Sequence, residues 1–498
     1  MSFFRYIYLV VIGICLSSLA LASVSTSDMD TPIVQNGQLQ PEAPGNGVDQ
    51  PEDSISLPTI YLSKYVQIES VTGNEKEAGL YLQQLARDKG LIVHVFTDDI
   101  DSYNFAASLY PLDLGKPNII LLNHIDVVPS GEDSLWTHPP FSGAIEDGFV
   151  WGRGSIDNKA MGVMQLMALA HFVDMAAEHD LPYNVTMLAV SNEEKGGEKG
   201  AALLVNNYLD LLNPLVVYGE GGTGLKGVVE AKPDMPFFGI ETAQKRGVWF
   251  SVSFSNPESG HGSIPRRSYP ARQIAIGSAS LLSHKQPIIL TKPVRDMLRE
   301  VGKHERGLRK VALRNIGFFR HLIGNTLRAD PITNALLTNT ITLTGLNTSE
   351  ASENQVAYSA TATFDSRLLP GADMDEFLKS VSKHFNIEHN QITIIGMSPE
   401  SGISETGVFY RALEDAVYEV FEDVAVAPIL FPAHNDNTFF RKHDIPAYGL
   451  LPAILPVEIV ESIHNVDERM PVNSLYDGIN LYKALLNILL FSDSDNSR

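Results

Sequence analysis

Four short apolar runs separated by helical patterns constrain this chain more than any other feature. They are LIVHVF (91–96), PNIILLNHIDVV (117–128), NVTMLAVS (184–191) and LVVYGE (215–220). Runs this short and this apolar read as strands buried on both faces. YLSKYVQIESV (61–71) and EAGLYLQQLARDKG (77–90) read as helices, the second with apolar residues at helical spacing and Gly90 as its stop. A strong helical pattern, NKAMGVMQLMALAHFVDMAAEH (158–179), lies between the second and third strands. Alternation of this kind implies an α/β domain built on a mainly parallel sheet.

The texture changes near residue 242. VWFSVSFS (248–255) and QVAYSATATFDSRLL (355–369) alternate like half-exposed strands, and QITIIGM (391–397) is strand-like. YPARQIAIGSASLLSH (269–284) and DMDEFLKSVSKHF (373–385) are helical. This set reads as an α+β unit inserted into the larger domain. Its middle, residues 291–325, is unusually basic for this chain and is read as a solvated helical face, with a substrate-facing surface as the alternative. The expected organisation is a catalytic domain in two parts, 55–241 and 399–498, around an insert at 242–398.

Chemistry gathers at the strand ends. His124 and Asp126 are i and i+2 on an extended segment, so both leave the same face. A carboxylate beside a histidine fixes its tautomer and strengthens it as a metal ligand, although a lone buried histidine is more often satisfied by hydrogen bonds. Asp157 immediately precedes the strong helix, where a plain N-cap is the competing explanation. Glu193 and Glu194 follow a strand and read otherwise as a solvated acidic turn; Glu220 follows the next strand and reads otherwise as a loop carboxylate. His464, in ESIHNVDER, would by itself be a surface histidine. In open α/β sheets the active crevice lies outside the carboxyl ends of the strands, where these groups would converge. Two histidines with three carboxylates suit zinc, and Asp157 can bridge two ions. Glu193 would then stay unligated and serve as general base toward an activated water.

The net charge of −22 argues against nucleic acid or an anionic membrane surface as partner. Residues 1–22, with Arg5 ahead of an apolar run ending Ala20-Leu21-Ala22, fit a secretory signal peptide. Export to the periplasm or the exterior is therefore expected, the alternative being an uncleaved N-terminal membrane tether. The single cysteine, Cys15, lies in that segment, so no thiol chemistry or disulfide is expected beyond it. Residues 23–54 are polar and Pro- and Gly-bearing and read as a disordered linker.

These residues and their surroundings resemble a known family. WTHPPFSGAIEDGFVWGRGSIDNKA (136–160), the EGG at Glu220 and GHGSIP (260–265) are similar to the co-catalytic zinc exopeptidases and amidohydrolases that include carboxypeptidase S, aminoacylase and glutamate carboxypeptidase. The resemblance spans about Pro58 to the C-terminus and is nearest to the carboxypeptidase S and N-fatty-acyl-amino-acid hydrolase branch. It implies a zinc-peptidase catalytic domain with a ferredoxin-like lid and dimerisation insert. It implies one zinc on His124, Asp157 and Glu220 and another on Asp157, Glu194 and His464, with manganese or cobalt as substitutes. Asp126 is then the partner of His124, Glu193 the base, and His261 the insert histidine that stabilises the oxyanion, often across a homodimer interface. Asn354 and Arg367 match residues that grip the substrate carboxylate; without the family, Arg367 reads as an exposed strand residue. The implied reaction is hydrolysis of a peptide or amide bond beside a free carboxylate, in a small peptide or an N-acyl amino acid.

Two positions depart from the family pattern. Ala357 stands where a proline is usual. AHNDNTFF (433–440) keeps Asp436 but has Thr438 in place of an arginine, which leaves substrate preference open.

Three rival readings remain. Gly219 to Gly224 satisfies G-x-G-x-x-G, yet the LKGVVEAKPDMP segment after it is strand-like and Pro-broken, and Glu220 would face a pyrophosphate. No G-x-S-x-G occurs for a serine hydrolase. A non-catalytic exported peptide-binding protein on the same scaffold would be expected to have lost ligands or the base.

Overall fold

A computed structural model describes residues 56–491 apart from 259 and 350. The signal-peptide and linker expectations for residues 1–54, and Cys15, lie outside the described residues. Among the described residues no helix is long and apolar enough to cross a membrane.

An eight-stranded sheet forms the frame, in the spatial order Ile92–Asp99, Ser102–Ser108, Asn184–Val190, Asn118–His124, Pro214–Leu225, Ala447–Ile454, Phe237–Gln244, Ala425–Phe431. The four central strands are mutually parallel, with Leu122 opposite Leu188, Ile120 opposite Val217 and Ala447 opposite Val217. Antiparallel pairs flank them on both sides. The sheet is mixed, and three of the four apolar runs lie in its parallel part, where Asn118–His124 and Asn184–Val190 are buried at every position. The first run corrects the buried strand expected of it, because Ile92–Asp99 is an antiparallel edge strand whose residues are all exposed or half-buried. The covering helix Lys159–Ala170 is buried almost all round and packs under the C-terminal helix Val472–Phe491. Gly478 permits that approach, since a Cβ there would overlap Met164.

The stretch after Tyr218 corrects the sequence reading. The Gly-rich segment continues the strand to Leu225, so Glu220 lies within a strand and not in the loop after it. A Cβ at Gly222 would overlap the Gly239 carbonyl oxygen, so the glycines serve close strand packing and no phosphate-binding helix opens there.

The insert carries a four-stranded antiparallel sheet, in the order Thr340–Thr348, Ser359–Leu368, Arg246–Ser255, Ile392–Met397. Helices Pro270–Ser283 and Met374–Phe385 cover one face through Ile274, Leu281, Phe377, Val381 and Phe385. This βαββαβ order is ferredoxin-like. Thr340–Thr348 was not anticipated from sequence, because most of its residues are exposed or half-buried and its apolar pattern is weak. The basic middle goes elsewhere: helices Lys292–His304, Gly307–Arg314, Ile316–Ala329 and Pro331–Leu337 bury Val294, Leu298, Leu313, Leu327 and Leu336 in the catalytic core and not in the insert's own.

Candidate metal centre

Each candidate group arrives from the carboxyl-end side of the central sheet. His124 ends the strand Asn118–His124 and is 2% exposed. Its Nδ1 donates to the Asp126 backbone carbonyl at 2.9 Å, whereas the Asp126 carboxylate is 3.6 Å away. The nearer partner that fixes the tautomer is thus the carbonyl, with the Asp126 carboxylate in ion-pair reach of the same nitrogen. Nε2 then faces Asp157 Oδ1 at 3.0 Å and Glu220 Oε2 at 3.3 Å.

The Asp126 carboxylate also holds the acidic turn. It accepts the backbone N–H of Glu193 (3.1 Å) and of Glu194 (3.2 Å), and the Thr72 hydroxyl (2.8 Å). Asp157 does not cap its helix, where Asn158 occupies the cap position. Its second oxygen lies 3.2 Å from His464 Nε2, which is also 3.1 Å from Glu194 Oε1. His464 is therefore not a surface residue: its side chain is 6% exposed, on a backbone at φ 62°. Asp157 sits between the two histidines, one carboxylate oxygen toward each. Ligand atoms of His124, Asp157 and Glu194, and likewise of His124, Glu193 and Glu220, all lie within 4.8 Å of one another. Glu193 belongs to this group in space, yet it forms no ion pair with either histidine among the described residues.

Several supports were not anticipated. Glu468, fully buried, binds Arg153 at 2.6 Å and accepts the backbone N–H groups of Gly154, Ile156 and Asp157. It stands four residues after His464, so one carboxylate holds the two loops that deliver Asp157 and His464. Asn158 donates to Glu220 Oε2 at 2.7 Å. Asn435 and Asn437 donate to the Glu220 carbonyl and to Glu241, which Arg441 binds at 2.5 Å. The AHNDNTFF segment thus braces the strand that carries Glu220. Thr438 is 1% exposed and does not line the main cleft, and buried Arg441, one turn on, pairs with Glu241. Only the partnering of these polar side chains marks them, and sequence does not show partners.

The electrostatics favour cations. Burial, then the Glu220 charge, holds Glu193 well above the ordinary carboxylate range; burial and Asp157 lift Glu194 to about 7. Asp436, buried with neither oxygen hydrogen-bonded, is raised well above its usual value by burial. Burial opposes a proton on His464, but Asp157 and Glu194 outweigh it and lift it to about 11; His124 is likewise raised well above its usual value, with Glu220 the chief opposing charge. Five carboxyl groups, those of Asp126, Asp157, Glu193, Glu194 and Glu220, crowd around two imidazoles, and no Lys or Arg pairs with them among the described residues. This donor set of imidazole nitrogens and carboxylate oxygens fits two divalent cations.

The raised histidines make metal uptake pH-dependent. Both hold protons at neutral pH when no metal is present, so uptake must expel them and affinity must rise with pH. Calorimetry of the metal-stripped protein in two buffers of different ionisation enthalpy should show release of more than two protons per chain, one from each histidine and the rest from the buried carboxyls of Glu193 and Glu194. Proton-neutral uptake would contradict the arrangement.

The centre opens into a cleft of about 770 Å³ between the main sheet and the insert. Arg367 lines its far wall, stacked 4.9 Å from the Trp249 ring and bound to both Asp365 oxygens at 2.9 and 3.0 Å. His434 lines it too; its Nε2 is buried without a partner, and burial pulls its pKa down to about 4. His261 and Asn354 are brought together, 3.3 Å apart, but on an exposed part of the insert that does not line the cleft. Within one chain they are separate from the centre.

Residues 120–488 match peptidase family M20/M25/M40. The chain belongs to that family. It is 26% identical over 393 residues to a probable carboxypeptidase S-like 2 of Dictyostelium discoideum, covering 78% of this chain and 74% of the relative. It is 25% identical over 456 residues to the N-fatty-acyl-amino acid synthase/hydrolase PM20D1 of Xenopus tropicalis, covering 90% and 86%. The fold resembles that of the M20 family metallo-carboxypeptidase Sso-CP2 of Sulfolobus solfataricus, with a TM-score of 0.64, 19% identity and coverage of 87% and 99%. The family makes this chain a hydrolase of the metallopeptidase and amidohydrolase kind, with the α/β fold expected of it. The non-catalytic binding reading finds no support.

Proposed function

We propose that the protein is a dinuclear zinc hydrolase that cleaves the amide bond of small N-acyl amino acids or peptides beside a free carboxylate. The observation that carries this is Asp157 between His124 and His464, with Glu193 close by and unpaired. His124, Asp157 and Glu220 would hold one ion and Asp157, Glu194 and His464 the other. When bound, the ions supply Lewis-acid polarisation of the scissile carbonyl and lower the pKa of a water from about 15.7 toward about 7. Glu193 accepts the proton of the attacking water and delivers it to the departing amine. Arg367 keeps N–H groups beyond the two that bind Asp365, and these meet the substrate carboxylate. Trp249, Ile332, Met397 and Phe439 give the cleft apolar walls for an acyl chain, and the relative named as an N-fatty-acyl-amino acid hydrolase aligns over 90% of this chain. A hydrolysis screen of N-acyl amino acids against C-terminally free dipeptides, with zinc restored, tests the reading. Turnover of neither class would reject it.

The remote His261 and Asn354 fit a homodimer in which each insert serves the other copy's cleft. Mixing His261→Ala with Glu193→Gln, each inactive alone, should then restore about a quarter of wild-type activity, because half the dimers are mixed and each has one intact site. Full activity of His261→Ala alone would place His261 outside the reaction, and no recovery after subunit exchange would rule out its service to the other copy's cleft.

A further inference from the structure

Between Arg306 and Ala329 the chain has six Lys and Arg residues and no Asp or Glu, in a protein of formal net charge −22. Helices Gly307–Arg314 and Ile316–Ala329 carry this stretch. Their inner sides bury Leu313, Ile316 and Leu327 in the catalytic core. Their outer sides leave large apolar groups in water: Leu308 is 88% exposed, Val311 48%, Phe318 71% and Leu322 72%. The spacings 308/311 and 318/322 each put two of them on one helical face. Arg306 and Arg314 are exposed beside them, with Lys310 and Arg320 partly so. Two further cations belong to packing, Arg309 with Glu230 and Glu305, and Arg328 with the Gln286 carbonyl.

A solvated helical face, the sequence-based expectation, would be polar at positions 308, 311, 318 and 322. Bulky apolar side chains among cations, without an acid between them, are instead the pattern of a helix that lies in a membrane interface. We propose that this helical pair is a docking surface for an anionic lipid bilayer, with Leu308, Val311, Phe318 and Leu322 entering the headgroup boundary and Arg306, Lys310 and Arg314 meeting the lipid phosphates. Charge complementarity selects that occupant. A second copy would set one cationic rim against another, whereas anionic headgroups attract this patch and repel the acidic remainder, which orients the molecule. The surface also adjoins the cleft: Asp330 ends the second helix and caps helix Pro331–Leu337, whose Pro331, Ile332 and Ala335 line the cavity. Docking here would bring the cleft wall to the lipid surface, and the proposal does not depend on which substrate is cleaved.

Co-sedimentation of the full chain with phosphatidylcholine vesicles, with and without phosphatidylglycerol, tests it. Anionic lipid should add to the binding, the increment should weaken with salt, and Phe318→Ser/Leu322→Ser should lower that increment about tenfold. Arg306→Glu/Arg314→Glu, which spares the apolar face, should lower it comparably. The apolar segment 1–22 would bind vesicles in its own right, so the site needs a local readout. Leu308→Cys in a Cys15→Ser chain, carrying an environment-sensitive dye, should shift to the blue on anionic vesicles. An unshifted dye, a dye shift indifferent to lipid charge, or an anionic-lipid increment equal in both double variants and wild type would overturn the proposal. So would a dimer that the Phe318→Ser/Leu322→Ser change dissociates while vesicles leave the dye unchanged.

Discussion

Glu193→Gln is expected to lower kcat by about 10³ to 10⁴ while leaving two metal ions per chain and the melting temperature little changed. The amide keeps the shape and burial of the side chain but cannot accept a proton. The turn that carries residue 193 is held from the backbone, by its N–H on Asp126 Oδ1, and that bond survives the substitution. Burial and the Glu220 charge press the native carboxyl toward its neutral form. Bound cations oppose this and favour the carboxylate, so the base is ready only in the metal-loaded protein. Metal analysis, melting curves and steady-state rates together decide the matter. A variant that loses metal would make Glu193 a ligand, and one that keeps near-normal kcat would move the base elsewhere.

Asp157→Ala should have the larger structural consequence, loss of both ions and of all measurable turnover. One carboxylate faces His124 through Oδ1 and His464 through Oδ2, so its removal takes a donor from each half of the centre. Ligands that bind only the native state stabilise it by mass action, about 2.7 kcal/mol per site at a hundredfold excess over Kd. Adding zinc should therefore raise the melting temperature of the wild type and leave the variant where it is. Chelator should bring the two proteins close together. A variant that still gains stability from zinc would show that the remaining groups suffice, and that Asp157 is not shared.

The candidate residues were legible because they sit at the ends of elements whose period is local. His124 closes an apolar run, Glu193 and Glu194 follow another, and Asp157 precedes the strongest helix, so short-range pattern alone marks the edge of the sheet where they emerge. Glu220 does join the cluster, but from within a strand where the sequence reads as the end of one, because a Gly-rich strand looks like a loop until its neighbouring strands are known to crowd it. Glu468, Asn435 and Arg441 escaped notice for a related reason: a buried polar residue is recognised by its partner, and theirs lie about 200 to 315 residues away along the chain.

Sequence by itself determined the α/β frame with its insert, and which residue types could take part in the chemistry, since helical and strand periods and the order of motifs are properties of neighbouring residues. Tertiary structure alone decided that Asp157 lies between two histidines, that Asp126 steers the acidic turn more than His124, and that His261 and Asn354 stand apart from the cleft. It also decided that the basic helices leave the insert to pack on the main core with an apolar face still in water. Those outcomes depend on contacts between segments far apart in the chain, set by competition among buried surfaces and charges that no local pattern records.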